Sequence, residues 1–129
     1  MIRPFTRYAL ALSLGVASLA GSAPAAAADV PAYYMAEFDL KDAKTFEPYH
    51  QGTPKTVEQY GGIYLVRGGQ TTSLEGQPPK RIIIMRFANM AAAQRWYNSP
   101  EYSALRPHRQ RSGDTRNFFV EGFLDKLPD

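Results

Sequence analysis

The sequence predicts an α+β domain: a four-stranded antiparallel sheet in the order 4-1-3-2, with two helices on one face. Three observations lead there. Strand-like and helix-like segments alternate as β-α-β-β-α-β. Glycine, proline and polar clusters fall between them. Two βαβ-like halves of this kind close into one sheet with both helices on the same side.

Residues 1–28 differ from the rest. Arg3 and Arg7 make a basic start, "ALALSLGVASLA" at 9–20 is apolar, and a small-residue stretch ends "APAAAAD". That is the layout of a cleaved signal peptide, and the apolar run is short of the roughly 20 residues a membrane span needs. The expected cut follows Ala28, which makes the protein secreted or periplasmic, with no membrane attachment after cleavage. The rest, 29–129, is 129 − 28 = 101 residues, or one domain. The chain has 15 Lys+Arg; without Arg3 and Arg7 there are 15 − 2 = 13, against 12 Asp+Glu. A nearly neutral domain gives no general case for nucleic-acid binding. Cysteine is absent, so no disulfide reinforces the fold and thiolate metal sites are excluded.

The elements follow in order. "PAYYMAEFDL" at 31–40 reads as the first strand. Phe46, Tyr49, His50, Thr53, Val57 and Tyr60 then keep helical spacing, with Asp42 as N-cap. Pro48 and Pro54 predict a late start or a kink near Pro54. Gly61 and Gly62 end this helix in the left-handed conformation. Residues 63–67 are the second strand, "GGQTTSLEGQPPK" is a loop, and "RIIIMRFA" at 81–88 is the third strand. Asn89 caps a helix over 90–98 that turns Ala93, Trp96 and Tyr97 inward. Ser99, Pro100 and Glu101 start a short helix, which Pro107 should stop or bend. "RNFFVEGF" at 116–123 is the last strand.

Side chains alternate across a strand, so parity sorts the sheet into two faces. One set carries no charge: Tyr34, Ala36, Phe38, Tyr64, Val66, Ile83, Met85, Phe87, Phe118 and Val120. It should lie under the helices. The other set is largely apolar, yet every strand adds at least one charge: Tyr33, Met35, Glu37, Asp39, Ile63, Leu65, Arg67, Ile82, Ile84, Arg86, Asn117, Phe119 and Glu121. Such a face is too apolar to stay bare. A second copy packed on it, enclosing a polar-lined space, is the economical solution. Glu37 and Arg86 should meet diagonally there. Arg67 is then either a structural ion-pair partner at the interface or, with Arg86, an anchor for an anionic ligand.

Other chemistry is sparse. His50 lies on the apolar side of the first helix, where a core or rim role competes with a functional one. His108 sits among the arginines of "RPHRQR". No third ligand accompanies the two for zinc. The serines lack a nucleophile-elbow context, and there is no phosphate loop or dinucleotide fingerprint. Arg106, Arg109, Arg111 and Arg116 read as a solvated edge pairing with Glu101 and Asp114, or else as an anion site. Seven tyrosines of the domain offer walls for a flat ligand.

"YGG" at 60–62, "LVRGG" at 65–69, "PPKRIII" at 78–84, "RWYNSPEY" at 95–102, the Arg106–Arg111 stretch and "VEG" at 120–122 together resemble the domain-of-unknown-function family 1330 of the dimeric α/β-barrel superfamily. The resemblance implies a ferredoxin-like fold whose sheets face each other in a homodimer. It brings no established activity. Members commonly carry an acidic residue where this chain has Arg86, and a proline where it has Ala88.

The expectation is an exported homodimer that binds a small organic ligand, anionic or aromatic, between the sheets, without a cofactor or metal. Its ligand-binding residues would be Arg67, Arg86, Glu37, Tyr33 and Glu121. A cofactor-independent reaction would draw on Glu37 or His50 for proton transfer. The alternative is a non-catalytic interaction or stress-related dimer whose sheet charges only fix the register between subunits.

Overall fold

The computed structural model describes residues 30–124, so the predicted export segment lies outside the described residues. The elements are β1 (Ala32–Leu40), α1 (Ala43–Gln59), β2 (Ile63–Arg67), β3 (Arg81–Phe87), α2 (Met90–Tyr97), α3 (Pro100–Ser112) and β4 (Gly113–Glu121). The strands pair antiparallel in the order β2-β3-β1-β4, which is 4-1-3-2 read from the opposite edge. The core lies between one sheet face and the helices, and the fold is ferredoxin-like. The second helical limb is in two pieces. Asn98 ends α2, and the Ser99 hydroxyl accepts from the Tyr102 N–H at 3.2 Å to start α3 at Pro100.

Trp96 is the centre of the core and is fully buried. Phe87 stacks on it at 5.4 Å, Tyr34 meets it edge-on at 5.3 Å, and the Tyr102 ring lies 4.1 Å away. Its indole N–H donates to the Thr56 hydroxyl at 3.0 Å, so the one polar atom of the ring is satisfied. The Thr56 hydroxyl in turn donates to the Thr53 carbonyl at 2.8 Å.

α1 departs from the sequence reading. Asp42 caps it, accepting from the Thr45 hydroxyl at 2.6 Å and the Thr45 N–H at 3.0 Å. Those bonds, the hydroxyl's foremost, hold the Asp42 carboxyl below its usual range. The helix then runs as one element from Ala43 to Gln59, through both prolines. Phe46, Tyr49, Thr53, Thr56 and Val57 form its buried face. Burying one large apolar side chain is worth about 1.5–3 kcal/mol, so several together offset the roughly 3 kcal/mol that each of the two interior prolines costs. At the far end only Gly61 is left-handed, with φ 74°. Gly62 serves a different purpose: a Cβ there would lie 2.6 Å from the Phe87 ring and 2.7 Å from Val57.

Pro54 has no N–H, so it leaves the carbonyl four residues back without its helical partner. That carbonyl belongs to His50, and the Arg67 guanidinium donates to it at 3.0 Å. The end of β2 is thereby tied to the middle of α1. We expect Pro54→Ala to restore the helical donor and make Arg67 redundant. In a double-mutant cycle by urea unfolding, Arg67→Ala should cost about 1 kcal/mol in the parent chain and measurably less beside Pro54→Ala. Equal costs in both backgrounds refute the compensation.

Candidate functional site

Strand register decides which side chains share a face. Tyr33 is opposite Arg86 and Val120, Met35 opposite Ile84 and Phe118, and Glu37 opposite Ile82 and Arg116. These groups line the open face. Tyr34 is opposite Phe119, and Ala36 opposite Asn117, so those two β4 side chains lie on the helix side. This reverses the parity predicted for β4. Phe119 meets Tyr34 at 5.8 Å and Tyr97 at 5.9 Å, both edge-on, and the Asn117 amide donates to the Tyr34 hydroxyl at 2.9 Å. Phe118 and Val120 are exposed instead.

A second reversal occurs in β2. Tyr64 pairs with Met85, but Val66 pairs with Ile84, with a bulge at Leu65. One extra residue flips the alternation beyond it. Arg67 is therefore opposite Ile83 and turns to the helix side.

The predicted constellation is thus split. Arg67 stands under α1. Arg86, Tyr33 and Glu37 remain on the open face, with Arg86 and Tyr33 side by side. Glu37 and Arg86 do not meet diagonally: Glu37 is four positions along β1 from Tyr33, roughly 13 Å along the strand. The Glu37 carboxylate accepts instead from the Lys80 N–H at 3.1 Å. Glu121 pairs with Ala32 at the sheet end and is exposed. His50 is half-buried, with its ring 5.9 Å from Phe46. It lies across the sheet from Glu37, so the two proton-transfer candidates do not form a pair.

A void of about 40 Å³ lies between α1, α3 and the sheet. Its apolar wall includes Ala36, Phe38, Phe46, Ile83 and Met85, and its phenols are Tyr34, Tyr49 and Tyr64. Arg67, Arg81 and Arg109 also line it, while among the described residues no aspartate or glutamate does. Arg67 is exposed and so marks the side open to solvent. Its guanidinium carbon sits 5.1 Å from the Tyr64 ring centre.

Arg109 is the largest departure from the predicted solvated edge. Only 5% of it is exposed. α3 continues through Pro107, and seven residues from Tyr102 bring Arg109 round to the same buried face. Arg106, Glu101 and Asp114 find separate partners. Arg106 stacks 4.2 Å from the Tyr97 ring centre, Glu101 accepts from the Tyr60 hydroxyl at 2.9 Å, and Asp114 pairs with Lys41.

Sequence reasoning also missed Arg81, Thr53 and Thr115. Five buried side-chain atoms lack a hydrogen-bond partner among the described residues, and four belong to side chains that line this void: Thr53 Oγ1, Thr115 Oγ1, Arg81 Nε and Arg109 Nε. Native interiors leave few such atoms, so their collection around one void is a feature of that void.

The family profile described as a domain of unknown function, DUF1330, matches residues 31–123. The chain belongs to the DUF1330 family. No curated protein matches the sequence. Among solved structures, a DUF1330 chain of this shape is similar to a protein of unknown function from Rhodopseudomonas palustris. The two are 18% identical with a TM-score of 0.62, over 74% of this chain and 85% of that one. It is also similar to SnoaB, a cofactor-independent oxygenase from Streptomyces nogalater, at 12% identity and a TM-score of 0.51, over 78% of this chain and 99% of that one. At these identities the likeness shows the fold alone.

Three phenols beside the DUF1330 cavity resist ionisation. Burial, foremost, raises the pKa of Tyr34, Tyr49 and Tyr102 above the ordinary value of 10. The Tyr49 and Tyr102 hydroxyls are 3.1 Å apart. Groups whose folded pKa is raised give stability that is complete below the unfolded value and lost as pH rises beyond it. We therefore expect stability to fall above about pH 10. In an alkaline titration, the phenolate absorbance of these three should appear only with loss of near-ultraviolet dichroism. Full tyrosine ionisation in a still-native protein contradicts the burial.

Proposed function

We propose that this DUF1330 protein is an exported homodimer that binds a small organic molecule in the cavity beneath α1. The gathering of four unpartnered buried polar atoms around one void carries the reading. A ligand supplying matching groups would remove a desolvation cost of about 1–3 kcal/mol at each atom it meets. The aromatic walls suit an apolar body.

The site proposed is thus on the helix side, where Arg67 stands, rather than on the open face with Arg86, Tyr33 and Glu37. The open face suits a second copy. Ile63, Leu65, Phe118 and Val120 are 52%, 50%, 46% and 44% exposed, and a patch of this kind favours burial against a partner. Export is supported by the basic start, apolar run and alanine-rich end of residues 1–28.

Purified protein, screened by thermal shift against small acids and phenols, should gain several degrees in melting temperature with at least one compound. Mass spectrometry of the bound compound after incubation in air reads turnover of the kind named for SnoaB. No shift from any compound across the screen defeats the binding reading. The association has its own test. Sedimentation should report a dimer, and Phe118→Lys should shift it to monomer without unfolding it. A monomeric parent chain disposes of the shared-face reading.

A further inference from the structure

We propose that the occupant of this cavity is a small carboxylic acid, and that Arg109 binds its carboxylate. The inference rests on the reading that the cavity holds a small molecule, and adds the chemical class and the anchor.

Arg109 is a buried cation without an anion among the described residues. Among the described residues the ion pair present is Lys41 with Asp114, at the surface and away from the cavity. No acidic side chain of the described residues lines the void that Arg109 faces. Burial works against its charge, yet an arginine stays protonated in proteins, and the Tyr102, Tyr34 and Tyr49 hydroxyls lie near it. Those hydroxyls stay neutral, because burial suppresses their ionisation. They ease the charge without cancelling it. A lone charge in a low-dielectric interior is costly, so the site strongly favours an anion that can enter.

The side chains that share the void with Arg109 narrow the class. Among the described residues the Arg109 Nε has no partner, and the hydroxyls of Thr53 and Thr115 have none either. A guanidinium edge and two hydroxyls are donors suited to two carboxylate oxygens. Thr53 is 2% exposed, so water does not reach it freely from bulk. The remaining wall is apolar and aromatic, which fits a ring or short chain behind the carboxylate. A void of about 40 Å³ does not enclose a whole ring, a benzene-holding cavity being about 150 Å³, so a ring would extend through the open side past Arg67. Arg67 and Arg81, nearer the open side, add positive potential on the way in.

Titration calorimetry of the mature chain tests this with benzoate, propionate, benzamide and inorganic phosphate as probes. At least one carboxylate should bind about tenfold or more tighter than benzamide, the neutral isostere of benzoate. Arg109→Met should abolish that preference while melting at or above the parent temperature, since an unpaired buried charge has been removed. Arg109→Lys should keep part of it, and this variant decides the matter if the methionine form fails to fold. Benzamide binding as tightly as benzoate, phosphate binding in place of either carboxylate, or an acid preference that survives in Arg109→Met would each overturn the carboxylate assignment. The small-molecule reading would stand in all three cases. Heat from none of the probes, with a hit elsewhere in the thermal-shift screen, overturns the carboxylate assignment alone; silence in both experiments removes both.

Discussion

A proline in the middle of a helix forces a carbonyl to look elsewhere for its donor. In α1 the carbonyl is that of His50, and the donor comes from Arg67 at the end of β2. For Arg67 to reach it, β2 must change phase, and the bulge at Leu65 supplies the change. The helix, the strand irregularity and the cation are therefore one arrangement. Its result is a clasp across the open side of the void beneath α1. Remove the bulge and Arg67 would project from the opposite face, leaving both the carbonyl and the void open.

Behind that clasp the interior has two characters. Around Trp96 the aromatic rings pack on one another, and the polar atoms they bring are matched: indole to Thr56, Tyr49 to Tyr102, Asn117 to Tyr34. Towards Arg109 and Thr115 the matching stops. A protein selected for stability alone would fill that region with apolar side chains, which commonly replace a buried charge at no loss. Keeping cations and bare hydroxyls there is the pattern of a region organised for something other than the fold.

Topology was legible in the sequence because element order and turn residues fix it. The caps Asp42, Asn89 and Ser99 all hold, each with its side chain accepting from a backbone N–H three residues on. Face assignment was legible for β1 and β3, where alternation is uninterrupted. It failed at β4, because the neighbouring apolar residues Phe118, Phe119 and Val120 give no phase. It failed at Arg67, because a bulge adds one residue without any signal in "IYLVR". Arg109 was hidden by a different error, that of ending α3 at Pro107. Carried one turn further, the helical spacing from Tyr102 through Leu105 reaches Arg109 and Ser112 and makes them inward residues. Proline's local cost was weighed there, while the tertiary packing that offsets it lies in contacts distant in sequence.

The same irregularity at Leu65 bears on how chains meet edge to edge. A sheet has two rims, and each is an invitation to a foreign strand. Here the β2 rim is five residues long and broken by the bulge, so it offers little continuous ladder to copy. The β4 rim runs nine residues without such a break. Any strand-to-strand growth of this protein, whether orderly assembly or fibre, is therefore polar in origin: it starts from one rim and has no equivalent foothold on the other.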